Sequence, residues 1–189
     1  AVLCGFTISN GHTLAQEESA AAEETWGGGV WMHDQALISN CTVIFNNAGY
    51  DGGAVFAANG IVTDTAVSSN LAYRAGGIAA SNIWARRVTC QENSASTYSG
   101  GGSFMASRLE SCEFRANYAP IGHSALFAVG SLISNCVVRH NSGASDAVGV
   151  SHGTDLLCSL IESNRSRWSA VMLWSGKGVV SNCLVRGNQ

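Results

Sequence analysis

The tetrapeptide FRAN at residues 114–117 decides the reading of this chain, because altered copies of it return at a fixed distance in both directions. Upstream stand VIFN (43–46), VSSN (67–70) and CQEN (90–93); downstream stand VRHN (138–141), IESN (161–164) and VRGN (185–188). The intervals between the Asn residues are 24, 23, 24, 24, 23 and 24. A constant period of this size marks a repeat architecture, in which one small unit stacks on copies of itself. A second mark precedes the Asn in the same rhythm: GGGV (27–30), GGAV (52–55), GGIA (76–79) and GGGS (100–103). It weakens to HSAL (123–126), DAVG (146–149) and SAVM (169–172) in the last three repeats.

The columns of the repeat read as strands. Eight residues before each Asn stand Ile38, Val62, Ala85, Leu109, Ile133, Leu156 and Val180. Five before stand Cys41, Thr65, Val88, Cys112, Cys136, Ser159 and Cys183, and three before stand Val43, Val67, Cys90, Phe114, Val138, Ile161 and Val185. The positions between are mostly polar, the alternation of a half-buried strand. The even step from minus five to minus three suits one strand, and the odd step from minus eight to minus five requires a bend. Short strands, tight bends and this period predict an all-β solenoid, a parallel β-helix of about seven coils of 23–24 residues. Right-handed crossover preference sets its expected hand. One coil cannot bury its apolar side alone, so neighbours complete the core.

Stacking at about 4.8 Å places like residues over like. The Asn column is then a ladder: each side-chain amide donates to one neighbouring coil and accepts from the other, and Asn also tolerates tight-turn backbone. These Asn residues are read as scaffold. The charged columns follow the same rule. Asp64 should lie beside Arg87, Arg86 beside Glu110, and the file Gln91, Arg115, Arg139, Glu162, Arg186 should run up one face, pairing between coils at modest value each.

Length and composition fit one domain spanning residues 1–189, with 22 Gly, one Pro and 12% charged residues. Low charge and low Pro argue against disorder. A net charge of −3 with few, scattered cations excludes an evident nucleic-acid surface, and no apolar run reaches membrane-spanning length. The opening AVLCGFTISNGHT reads as a strand with Cys4, Phe6 and Ile8 inward, but Asn10 lies 36 residues before Asn46. The surplus is TLAQEESAAAEETW, a lateral insertion at 13–26 expected as a short helix or loop. It carries Glu17, Glu18, Glu23 and Glu24 and is a solvated excursion or a partner-binding protrusion. With no capping segment evident, the chain reads as a piece of a longer protein, with end-to-end contacts to its remainder or to other copies. The seven cysteines include four in one inward column and no CxxC pair, which favours buried free thiols, Cys112 and Cys136 among them, over disulfides or metal.

The motif GG-[AVI] followed by [FVI]-x-x-N, best seen in GGAV (52–55) and FRAN (114–117), resembles the repeat of chlamydial polymorphic outer-membrane proteins. GFTISNG (5–11), the insertion, GGGV and SNCTV (39–43) are similar to secreted bacterial right-handed parallel β-helix proteins carrying such repeats. The resemblance covers nearly the whole chain, departing where the Gly pair is lost. It implies an extracellular or bacterial cell-surface location and an adhesin-like passenger role.

The same architecture hosts pectate lyases, polygalacturonases and phage tailspike hydrolases, so function must be argued from a site. A glycosidase needs two carboxylates within about 5 to 9.5 Å. Asp34, Asp64, Asp155, Glu92, Glu110, Glu113 and Glu162 fall in different columns or on distant coils. The single lysine, Lys177, has no acidic cluster beside it; His152 with Asp155 and His33 with Asp34 are isolated pairs, and the histidines share no ligand spacing. No catalytic, cofactor-binding or metal-binding residue is therefore assigned. What remains is an edge of aromatic residues after the Asn turns: Tyr50, Tyr73, Tyr98, Tyr118 and Trp168, with Arg74 beside them and Arg165 and Arg167 near Trp168. Such an edge either binds a glycan or protein partner or simply covers the turn. The expected role is a non-catalytic extracellular stalk or adhesive module; the alternative is a carbohydrate-active or glycan-binding β-helix.

Overall fold

A computed structural model describes residues 1–14 and 23–189. It is an all-β solenoid of about seven stacked coils with parallel pairing throughout, arranged as four sheets that run the length of the stack. One coil shows the plan. Ile61–Thr63 belongs to the first sheet, Ala66–Ser68 to the second, Leu71–Ala72 to the third and Ile78–Ser81 to the fourth. The first two sheets hold eight strands each, the fourth seven and the third six.

The register is the one the columns require. Ile38, Val62, Ala85, Leu109, Ile133, Leu156 and Val180 pair in sequence up the first sheet. Val43, Val67, Cys90, Phe114, Val138, Ile161 and Val185 do so up the second. Apart from the last coil, these two files are buried and meet the inward residues of the fourth sheet, among them Val55, Ile78, Phe104 and Leu126, in one continuous core. Phe104 and Phe114 meet edge to face inside it, with centroids 5.9 Å apart.

Asn46, Asn70, Asn93, Asn117, Asn141, Asn164 and Asn188 form the ladder. Each Nδ2 donates to the Oδ1 of the next Asn at 2.9–3.1 Å. The same Oδ1 accepts the preceding Asn's backbone N–H at 2.9–3.0 Å. Each Nδ2 also reaches back to a carbonyl of the preceding coil, such as Val67 for Asn93 and Cys90 for Asn117. The first coil departs from the sequence reading. Thr7 to Ser9 pair with Thr42 to Ile44, which puts Gly11, not Asn10, in the ladder file. The Gly11 N–H donates to Asn46 Oδ1 at 2.8 Å. In that coil Leu3 and Ile8 pack on the core, while Cys4 faces outward beside Ser39 and Phe6 is exposed at the open end of the stack.

The corners also differ from expectation. The ladder Asn residues do not adopt left-handed backbone; the residue before each does, as Phe45, Ser69, Glu92, Ala116, His140, Ser163 and Gly187. The corner between the first and second sheets turns on Asn40, Asp64, Arg87, Ser111, Asn135, Cys158 and Asn182, all with φ of 49–54°. A third corner, between the fourth and first sheets, turns on Asn59, Asn82, Ala106, Gly130 and Gly153. Left-handed backbone costs a non-glycine residue about 1–2 kcal/mol, so hydrogen bonding between coils must hold it. Hydroxyl ladders contribute at two of these corners. Thr65 and Ser159 donate to Thr63 O and Leu157 O and accept from Cys41 N and Cys136 N. Ser107, Ser131 and Thr154 repeat the arrangement at the third corner.

All seven cysteines are free, and Cys112 and Cys136 are buried as expected. Hydrogen bonding to Cys112 and burial push the Cys136 thiol up, so it remains protonated. Of the insertion, Glu23–Thr25 form a single 3-10 turn; residues 15–22, with Glu17 and Glu18, lie outside the described residues.

Replacing Asn117 with Ala strands the backbone N–H and the amide of Asn93. Chemical denaturation is expected to show a loss of about 1–3 kcal/mol. By contrast, Ala116→Gly should stabilise the fold by roughly 0.5–1 kcal/mol, because relief of left-handed strain exceeds the added chain entropy. A destabilised Ala116→Gly would overturn the account of the corner between the second and third sheets.

Candidate functional site

The tyrosine edge divides into a cluster and two outliers. Tyr50 and Tyr73 stack at 5.9 Å between centroids. The Arg74 guanidinium lies 4.8 Å from the Tyr98 ring centre and 5.5 Å from that of Tyr50, and pairs with Asp51 at 3.8 Å. Tyr118 lies in the third sheet beside Ser94 and Ser142, exposed and away from the others. Trp168 is exposed several coils further along. The structure therefore brings together Tyr50, Tyr73, Arg74 and Tyr98 and leaves Tyr118 and Trp168 apart.

The cause is the coordinate that sets lateral position in this loop. Tyr50 and Tyr73 both stand three residues before Gly53 and Gly76, the glycines that re-enter the fourth sheet. Tyr98 stands two before Gly100, in the file of Asp51 and Arg74. These glycines are fixed by contact: a Cβ on Gly53 would lie 2.2 Å from the Gly76 carbonyl oxygen, and one on Gly76 would lie 2.3 Å from that of Ser94. Side chains after the Asn are therefore aligned by the glycine file, and an even Asn-based rise of tyrosines does not form. Tyr50 and Tyr98 are half-buried and spend much of their ring surface on neighbours. Tyr98 also meets Phe127 and His123 edge on, at 5.2 and 6.1 Å.

Two buried acids stand behind this edge. Burial raises the Asp51 carboxyl to about 6 against the pull of Arg74, and its Oδ1 has no hydrogen-bond partner. Asp146 is fully buried; Ser169 donates to its Oδ1 at 2.6 Å and Ser145 to its Oδ2 at 2.8 Å. His123 Nδ1 lies 3.5 Å from Oδ2 without hydrogen-bond geometry. Burial pushes the His123 imidazole down despite Asp146, and its ring stacks on Phe127 at 4.8 Å. The pair fills the region where Asp146 and Ser169 replace the glycine file, so its role there is packing.

The outward charges are mostly paired between coils. Arg87 holds Asp64 through two bonds of 2.5 and 2.7 Å, which depress that carboxyl to about 2. Arg139 pairs with Glu113 at 2.7 Å and Arg186 with Glu162 at 2.9 Å. Arg86 and Glu110 are register neighbours as the columns require, yet they form no ion pair. Glu110 pairs with Arg108 at 3.3 Å, and Arg86 lies against the Trp84 ring at 5.8 Å. A flat indole offers Arg86 more contact than one shared carboxylate.

A surface feature that the sequence reading missed lies on the opposite corner. Between the fourth and first sheets an open trough runs along the stack. Its first stretch has a volume of about 780 Å³ and is lined by Asp34, Gln35, Asn59 and Asn82; the second, about 620 Å³, continues from Asn82 past Trp84 and Gly130 to Asp155. The signal was the small or amide residue eleven places before each of the first six ladder Asn residues: Gln35, Asn59, Asn82, Ala106, Gly130 and Gly153. Among the described residues no three His, Cys, Asp or Glu gather as a metal-binding group, and no helix is long and apolar enough to cross a membrane. No protein-family model, curated protein or solved structure matches the chain.

Asp51 gives the edge a pH signature. Its folded pKa lies above the unfolded value, so the associated stability is full below about 4 and is lost as pH rises through about 6. Urea midpoints should fall between these limits by the equivalent of roughly 3 kcal/mol from this group. In Asp51→Asn that part of the slope should vanish; an unchanged pH profile would refute the assignment.

Proposed function

We propose that this chain is a non-catalytic β-helix module displayed outside the cell, acting as a rigid stalk or adhesive passenger. The observation that carries the reading is the ladder, unbroken from Asn46 to Asn188, which makes every coil depend on the next and produces a stiff rod. The disposition of the acids supports it. Asp51, Asp64, Glu110, Glu113 and Glu162 all sit in ion pairs with arginines, and Asp146 is sealed in the interior. None of these carboxylates is poised over a cleft for acid–base work. The GG-[AVI] and [FVI]-x-x-N repeat, with its resemblance to bacterial surface passengers, supports the location. The tyrosine cluster offers a partner contact at Tyr73, the most open of its rings.

The test is display on living cells of the source organism. Antibody against residues 23–189 should label intact cells, and brief external protease should remove the label. Labelling only after permeabilisation would overturn the reading.

A further inference from the structure

The trough at the third corner has its own chemistry. It spans the coils from Asp34 to Asp155, six corners and about 24 Å at strand spacing. Its middle stays open because the corner residues there are small: Ala106, Gly130 and Gly153. On Gly130 a Cβ would meet only one atom within 4 Å, the His152 carbonyl oxygen at 3.6 Å. At Gly130 the trough is therefore open, with no side chain filling it.

Three groups give the trough its recognition character. Asn82 Nδ2 donates to Asn59 Oδ1 at 2.6 Å, which fixes both amides. This leaves the Asn59 amide protons as donors and Asn82 Oδ1 as an acceptor, one coil apart on an exposed rim. A pair of adjacent sugar hydroxyls, each able to donate and accept, matches that arrangement. Trp84, on the neighbouring wall, is one-third exposed and braced by Arg86 and by Arg108, whose guanidinium lies 5.5 Å from its ring centre. A braced indole presents apolar surface to a sugar ring at little entropic cost. Ile61, also exposed, extends the apolar wall one coil below.

Other occupants fit less well. The corner backbone is already bonded between coils: Asn59 N–H to Ser81 O, Asn82 N–H to Met105 O, Ala106 N–H to Val129 O and Gly130 N–H to Ser151 O. Along the trough, from Asn59 to Gly130, these backbone donors are therefore not free for a peptide to pair with by strand addition. Asp34 and Asp155 at the two ends offset the arginines near the middle, which disfavours a polyanion such as a nucleic acid.

We propose that this trough binds an extended neutral oligosaccharide, with vicinal hydroxyls on the Asn59–Asn82 amide pair and a sugar ring against Trp84. Binding by the purified chain is independent of where the chain is displayed, so this proposal and the display reading fail separately.

The test uses the purified chain on an array of neutral gluco-, manno-, galacto- and N-acetylglucosamine oligosaccharides of increasing length, with polyuronates and heparin beside them. Titration calorimetry then follows the best neutral binder. Affinity should rise with chain length until the trough is filled. Trp84→Ala and Asn82→Gly should each weaken binding roughly tenfold or more. Gly accepts the left-handed backbone at residue 82, so that corner should survive, and both melting temperatures should stay near the parent's. Trp84→Tyr should retain most of the affinity, and Tyr73→Ala, on the other edge, should leave it unchanged. Absence of any neutral binder, binding confined to the polyanions, or full affinity in both Trp84→Ala and Asn82→Gly would overturn the proposal.

Discussion

Each ladder Asn satisfies groups that would otherwise be stranded in the interior, and the whole stack depends on this. At the second corner the chain must leave the second sheet through a single left-handed residue, so local backbone donors lose their regular partners. One side-chain amide supplies the replacement on both sides: its oxygen takes two donors from the preceding coil, and its nitrogen feeds the next amide. An aliphatic residue at this buried position would leave several unpaired polar groups, each costing about 1–3 kcal/mol. A charged residue would repeat its charge every 4.8 Å. Asn is the side chain that donates, accepts and remains neutral.

The rest of the coil is arranged around that constraint. Three corners turn on left-handed residues, and most of those are not glycine. Their strain is tolerated because the residues beside them are tied between coils, by amides at one corner and by hydroxyls at the other two. The core is filled mostly by small and medium side chains, with the Phe104–Phe114 pair the largest among them. Glycine is reserved for the loop that re-enters the fourth sheet, where neighbouring backbone comes within 2.2–2.5 Å of a notional Cβ on Gly53, Gly76 and Gly100. Where the later coils lose those glycines, Ser124 and Asp146 take their places, and the buried His123–Asp146 pair with its flanking hydroxyls fills the altered space.

Outside the core the two lateral faces have diverged. On the loop side, aromatic rings and Arg74 close on one another and on Asp51. On the third-corner side, small residues keep a trough open, with an amide pair and a braced indole on its rim. The scaffold is common to both, since each face inherits its regular spacing from the coil rise. The difference arises from whether the column holds bulky or small side chains.

The amino-acid sequence alone determined the period, the ladder, the inward files and the pairing of Asp64 with Arg87, because parallel stacking turns a repeat interval directly into spatial neighbours. The tertiary structure decided what that interval leaves free. It placed left-handed backbone on Ala116 and its equivalents rather than on the ladder Asn, since the amide must stay in register to bond both coils. It aligned Tyr50 with Tyr73 but set Tyr98 over Arg74, since the glycine file, not the Asn file, governs lateral position after the turn. It turned Arg86 onto Trp84 and gave Glu110 to Arg108, since long side chains choose among several partners within reach. It also opened the trough, which no single column announces, because a concave surface exists only where small residues on one file meet large ones on the next.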